Sequence, residues 1–252
     1  MYRDARYYNN SGKNWIKKGK CYRAVTDFTL AIGRDPNFAE AYYNRVYAWY
    51  VIKDFDKAIA DFTRVVELEP NNVFAYIERG TVWRKKGEFE KAIEDYTQAI
   101  DLDPDNAFAF NIRGLIWYKK GDYDKAIADL THTIEFFPYY APAYDFRGIA
   151  WRKIGYLDKA ITNHTHAIEL DPNDAIIYNN RGLAWEEEGE LDKAIEDYTC
   201  AIKLDPILHV LSIISTDSRM VAFASLASYA WLSSCNRSSS FLRNFSSRGG
   251  SD

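Results

Sequence analysis

An all-α fold is predicted by three observations on the sequence of 252 residues. Six of the seven tryptophans, Trp15, Trp49, Trp83, Trp117, Trp151 and Trp185, stand 34 residues apart. The prolines Pro36, Pro70, Pro104, Pro138, Pro172 and Pro206 keep the same step, as do the alanines Ala24, Ala58, Ala92, Ala126, Ala160 and Ala194. Inside each period the apolar and small residues recur at spacings of three and four, the signature of one face of an α-helix.

The period defines six units, 5–38, 39–72, 73–106, 107–140, 141–174 and 175–208, each numbered here from position 1 to 34. Aromatic residues or glycine at positions 4, 8 and 11 mark a first helix. Alanine, an aromatic and a small residue at positions 20, 24 and 27 mark a second. Glycine at position 15 (Gly19, Gly87, Gly121, Gly155, Gly189) ends the first helix, where a left-handed residue without a Cβ is favoured. Proline at position 32 stops the second, because it lacks an N–H and restricts the residue before it. Asn71, Asn72, Asn106 and Asp174 fall where N-caps of the following helix belong.

Glycine at position 8 (Gly12, Gly80, Gly114, Gly148, Gly182) lies mid-helix, where it costs up to about 1 kcal/mol relative to alanine. Close approach of the paired helices, with the position-20 alanine opposite, is the expected compensation. The second unit departs from the pattern: Val46 and Lys53 replace both glycines, so its helix pair is expected to pack more openly. Arginine at position 7 (Arg45, Arg79, Arg113, Arg147, Arg181) and aspartate at position 23 (Asp27, Asp61, Asp95, Asp129, Asp197) predict a ladder of ion pairs in the four units that carry both.

Tyr178, Arg181, Gly182, Trp185, Ala194, Tyr198, Ala201 and Pro206 of the sixth unit carry a resemblance to the tetratricopeptide repeat, a helix–turn–helix of 34 residues with a late proline. It covers roughly four fifths of the chain. The resemblance implies a right-handed α-solenoid superhelix of antiparallel helix pairs. It also implies a concave face lined by the first helices, chiefly at positions 2, 5, 9, 12 and 13. Carried onto this chain, the candidate peptide-binding groove is Tyr43, Asn44, Tyr47, Phe74, Ile77, Phe108, Asn111, Leu115, Asn179 and Leu183, with Ile149 and Ile176 in equivalent places and Asn9 and Asn180 as further amides. Arg84, Lys85, Lys119, Arg152 and Lys153 add a basic edge, so the groove is expected to suit an extended or helical segment with apolar anchors and some acidic residues. A subgroup of the family grips chaperone C-terminal carboxylates; exchanged Asn9 and Lys13, and Phe74 and Glu78 in place of basic groups, disfavour that role here.

Catalysis is not expected. An active site needs a nucleophile, an acid–base pair or a metal set placed together. His132 and His166 hold position 26 with Cys200 one repeat further on, but zinc needs its ligands about 2.0–2.3 Å from one centre whereas packed helices lie about 8–10 Å apart. His164 replaces the aromatic at position 24 and is expected in the core. Ten of the thirteen glycines belong to the repeat, and no phosphate-binding or nucleophile-elbow motif stands in a strand–turn–helix setting. No cofactor or metal is expected.

Net charge is −4, apolar residues make up 47% and charged residues 27%, a balance that excludes disorder and makes nucleic acid and anionic lipid poor partners. Cys21, Cys200 and Cys235 form no C-x-x-C pair, which favours a reducing compartment. Without a run of eighteen apolar residues or a secretory signal at MYRDARYYNN, the chain is expected to be soluble, not exported and cytoplasmic.

From His209 the period stops. Residues 209–252 contain thirteen serines against one in the preceding 208. Met220, Phe223, Ala224, Ala227 and Trp231 recur at helical spacing, so 209–235 is expected to be a capping helix, a helix that inserts in another molecule's groove or a trailing segment from an altered reading frame being the alternatives, and 236–252 a disordered tail. The function expected is a non-catalytic scaffold binding a peptide or protein segment. Self-assembly into a homo-oligomer, or a regulatory array cut from a longer protein, are the alternatives.

Overall fold

The computed structural model describes residues 3–205, which contain twelve α-helices. The proposed cap and tail, 209–235 and 236–252, lie outside the described residues. The chain divides into two compact units, Met1–Ala150 and Trp151–Asp252.

The first unit holds α1 (Ala5–Lys17), α2 (Cys21–Arg34), α3 (Ala39–Ile52), α4 (Phe55–Leu68), α5 (Val73–Lys86), α6 (Phe89–Leu102), α7 (Ala107–Lys120) and α8 (Tyr123–Phe136). The division falls within α9 (Ala141–Lys153). The second unit holds α10 (Leu157–Leu170), α11 (Ala175–Glu188) and α12 (Leu191–Leu204). Every second helix starts at position 17 and ends two residues before the proline or its equivalent place, as the loss of an N–H and the restriction upstream require.

Caps fix the starts. Asn72 accepts from the Ala75 N–H at 3.1 Å, Asn106 from Ala109 at 3.1 Å and Asp174 from Ile176 at 2.8 Å. Asn71 does not cap: its neighbour Asn72 takes that position, while Asn71 supplies only its carbonyl, to Val73. Asp4, Asp54 and Asp122 serve as caps the sequence reading passed over. All five position-15 glycines adopt positive φ, and Lys53 does so too, at 66°.

Position-20 alanines are buried in every repeat and anchor the clusters between helices, such as Ala24, Phe28 and Ala48 or Ala160, Ile161 and Ala184. Opposite Gly182 the missing Cβ leaves room chiefly for the Tyr198 ring, not the alanine: a Cβ there would stand 2.6 Å from it. At Gly80 the position-20 carbonyl of Ala92, 3.3 Å away, shares the space with Asp95 and Tyr96. Val46 in the second repeat is itself buried among Ala58, Ile59, Phe62 and Val82, so the branched side chain fills that part of the core.

The ion-pair ladder forms. Arg45, Arg79, Arg113 and Arg181 each donate through Nε and Nη2 to both carboxylate oxygens of Asp61, Asp95, Asp129 and Asp197, at 2.6–2.9 Å. Two parallel donors matched to a planar carboxylate are the strongest geometry for such a pair. Nη1 of each goes to a threonine of the preceding repeat, Thr29, Thr63, Thr97 and Thr165 respectively, so one guanidinium ties three helices together. A second ladder covers the tryptophans: Lys57, Lys91, Lys125, Lys159 and Lys193 place their ammonium groups 4.1–4.5 Å from the ring centroids of Trp49, Trp83, Trp117, Trp151 and Trp185.

Candidate functional site

Two contacts in the first unit set the register between successive first helices. Lys13 of α1 pairs with Glu40 of α3 at 3.1 Å, joining position 9 to position 2 of the next repeat. Asn44 of α3 donates to Asn9 of α1 at 3.0 Å, joining position 6 to the preceding position 5. Positions 5 and 9 of α1 therefore meet positions 2 and 6 of α3 in a patch of four, because residues four apart share a helix face.

Between α1 and α3 this patch is Asn9, Lys13, Glu40 and Asn44, polar and mutually satisfied: Asn44 donates also to Glu40. The same positions of α3 and α5 are held by Tyr43, Tyr47, Phe74 and Glu78. Three of these are exposed aromatics, Tyr43 at 41%, Tyr47 at 57% and Phe74 at 50%. On α5 and α7 they are held by Ile77, Thr81, Phe108 and Ile112, with Ile77 and Ile112 buried and Phe108 half-buried.

The candidate residues thus divide by environment. Ile77, Asn111 and Leu115 are buried and belong to the packing between helices. Asn44 is half-buried and engaged by Asn9 and Glu40. Tyr43, Tyr47 and Phe74 offer surface. In the second unit Asn179 and Leu183 are half-buried on α11, while Asn180 is buried.

In the sequence Glu78 stands out only as a mismatch to a carboxylate clamp. In the structure it is half-buried, and burial pushes its carboxyl up to about 7. Burial raises the Tyr43 hydroxyl as well, and the Glu78 charge raises it further, which places the two groups within electrostatic reach. Behind them Tyr96 of α6 is fully buried, its hydroxyl pushed up to about 12 by burial and held 2.9 Å from Thr81 Oγ1. Asn111 Oδ1 is buried without a hydrogen-bond partner among the described residues, although the Asn111 amide bonds to Tyr140.

The basic edge is largely engaged. Lys85 lies 4.9 Å over the Tyr50 ring and Lys119 4.6 Å over Phe89, both still exposed, and Arg152 pairs with Glu187 in the second unit. His132 stacks on Phe110 at 4.7 Å with Nδ1 3.1 Å from Glu135, and His166 lies 3.1 Å from Glu169, each within its own repeat. His164 is fully buried. Among the described residues no group of three or more His, Cys, Asp or Glu side chains is placed to hold a metal ion.

Models of the tetratricopeptide repeat match residues 16–73 and 175–207, and a TPR repeat model matches 80–121 and 148–188. The chain belongs to the tetratricopeptide-repeat family. No curated protein matches this TPR chain. Among solved structures it is similar to MamA protein, at 28% identity over 67% of this chain and 92% of that one, with a TM-score of 0.64. A MamA from Desulfovibrio magneticus RS-1 shares the fold at 21% identity, with coverage of 67% and 95% and a TM-score of 0.64. YrrB, a TPR protein described as having an unusual peptide-binding site, shares it at 24% identity, 71% and 92% coverage and a TM-score of 0.63. Like these neighbours the TPR chain is all helix among its described residues, and no helix there is long and apolar enough to cross a membrane.

Proposed function

We propose that this TPR protein is a non-catalytic scaffold that binds a peptide or protein segment along the first helices of its repeats. Tetratricopeptide repeats in general serve protein interaction, and YrrB is described as binding peptide. The observation that carries the reading is the exposure of Tyr43, Tyr47 and Phe74 on the consecutive first helices α3 and α5, whereas lysines cover the tryptophans Trp49 and Trp83 of the same repeats. Contiguous exposed aromatic surface on a soluble protein marks an interaction site, and aromatic side chains dominate binding energy at such sites. Of the other candidates Ile77, Asn111 and Leu115 are buried, Asn44 and Phe108 are half-buried, and Asn179 and Leu183 belong to the second unit. The cysteines Cys21 and Cys200 are free, in keeping with a reducing, cytoplasmic setting.

Selection of a random dodecapeptide phage library on the full chain tests the reading. Enriched peptides should bind in the micromolar range, and the variant Tyr43→Ser/Tyr47→Ser/Phe74→Ser should lose about tenfold or more in affinity. Tyr22→Ser, at an exposed tyrosine on α2, should leave it unchanged. Equal binding by the triple variant, with unaltered circular dichroism, overturns the reading.

A further inference from the structure

Among the charged side chains of the first helices Glu78 is placed unlike the others. Glu40, one repeat earlier and at position 2 rather than 6, is paired with Lys13 and hydrogen-bonded by Asn44. The four buried aspartates of the ladder each receive two guanidinium donors. Glu78 is half-buried and has neither a cation nor a hydrogen-bond donor among the described residues. Removing a carboxylate from water without a partner is costly, so this group holds its proton more tightly than an ordinary carboxyl, and a cation brought beside it would favour the charged form.

Its surroundings are those of a cation receptor. Tyr43 and Tyr47 lie one turn apart on α3, Phe74 and Glu78 one turn apart on α5 at the positions equivalent to Glu40 and Asn44 of α3, and the Glu78 charge reaches the Tyr43 hydroxyl. The faces of aromatic rings attract cations, and this chain uses that interaction repeatedly, with lysines over its own tryptophans. Here the rings are exposed, and the Glu78 carboxylate lies within electrostatic reach of Tyr43. Of the basic edge, Arg84 is hydrogen-bonded to the Tyr96 hydroxyl behind the patch, and Lys85, two turns beyond Glu78 and about 10 Å by helical rise, is turned over Tyr50.

We infer that Tyr43, Tyr47, Phe74 and Glu78 form a receptor for one lysine or arginine side chain of the bound segment, with apolar residues of that segment on either side. This rests on the proposed function and sharpens it: the sequence reading expected acidic residues in the partner, and the patch between α3 and α5 calls for a basic one. The occupant is a segment of another protein, chosen by charge complementarity. The cation sits over the rings and its N–H groups donate to the Glu78 oxygens. A partner carboxylate at the same place would face Glu78 and be repelled.

The test uses the full chain, the same dodecapeptide library and Glu78→Gln, a near-isosteric change that keeps the fold. Selection on the wild type should enrich lysine or arginine at one fixed position among apolar residues, and selection on Glu78→Gln should keep the apolar residues and lose the basic one. A peptide of the enriched sequence should bind about tenfold more tightly than its norleucine counterpart by fluorescence anisotropy, and the two should bind alike to Glu78→Gln. Tyr47→Leu, which keeps apolar area but removes a ring, should lessen the preference while sparing the norleucine peptide. Apolar enrichment without a basic position, or with an acidic one, overturns the receptor and leaves the scaffold reading standing. No enrichment beyond that of the Tyr43/Tyr47/Phe74 triple variant overturns both. Enrichment of sequences matching residues 209–252 overturns the foreign segment and makes the chain its own ligand.

Discussion

Arg113 and Asp129 are joined by two parallel hydrogen bonds of 2.8 Å, and the third donor of the same guanidinium reaches Thr97 at 2.9 Å. Arginine and aspartate belong to one repeat and threonine to the one before, so the contact specifies both the angle within a helix pair and the docking of one pair on the next.

Removing the carboxylate strands a partly buried guanidinium. Asp129→Ala should destabilise the fold by about 3 kcal/mol, while Thr97→Val, which leaves the ion pair intact, should cost about 1 kcal/mol. Urea midpoints at constant slope measure both. Equal small losses would mean that solvent re-pairs the arginine and that the ladder is ornamental to stability.

Lys53 adopts the left-handed conformation that five repeats reserve for glycine, with φ at 66°. An L-residue there costs about 1–2 kcal/mol, of which glycine's greater freedom in the unfolded chain returns part. Lys53→Gly should therefore stabilise by roughly 0.5–1 kcal/mol. A lower melting midpoint would show that the lysine side chain contributes more than its backbone costs.

A Cβ at Gly12 would lie 2.5 Å from the ring of Phe28, which is fully buried. Alanine is the better helix former by about 1 kcal/mol, yet pushing the ring off its packing costs about 1–3 kcal/mol, so Gly12→Ala should be net destabilising. Phe28→Leu in the Gly12→Ala background should recover part of the loss, since it vacates the space the methyl needs. Additive losses in the double variant would place the strain elsewhere.

Glu78 also links stability to pH. Its folded pKa, about 7, is raised above that of an ordinary carboxylate near 4.5. Between those values the folded state binds more protons than the unfolded state, so this group's contribution to stability falls as pH rises from about 4.5 to about 7 and is lowest above it. Tyr43 of α3 and Tyr96 of α6 are the titratable groups coupled to it, and both remain protonated in that range. Glu78→Gln should raise the stability at pH 8 by an amount on the order of 1 kcal/mol, seen as a higher melting midpoint, and the gain should vanish near pH 4.5. A gain independent of pH would show that the carboxylate titrates normally.

The sequence by itself determined the helices, their ends and the repeat, because these rest on local chemistry. Position-15 glycines, position-32 prolines and the Asn72, Asn106 and Asp174 caps act within a few residues of themselves, and a spacing of three and four identifies a face without any partner. It also determined the arginine–aspartate pairing, since two complementary charges repeating sixteen residues apart have little else to meet. Only the tertiary structure decided which first-helix residues face outward. Positions 5 and 9 carry Tyr43 and Tyr47 to the surface but Ile77 and Leu115 into the packing, because exposure depends on the side chains that neighbouring helices bring against them. Likewise the third partner of each ladder arginine, Thr97 among them, and the unmatched carboxylate of Glu78 beside Tyr43 exist only across helices from different repeats. Periodicity records what each repeat shares, whereas binding surface arises where one repeat differs from the next.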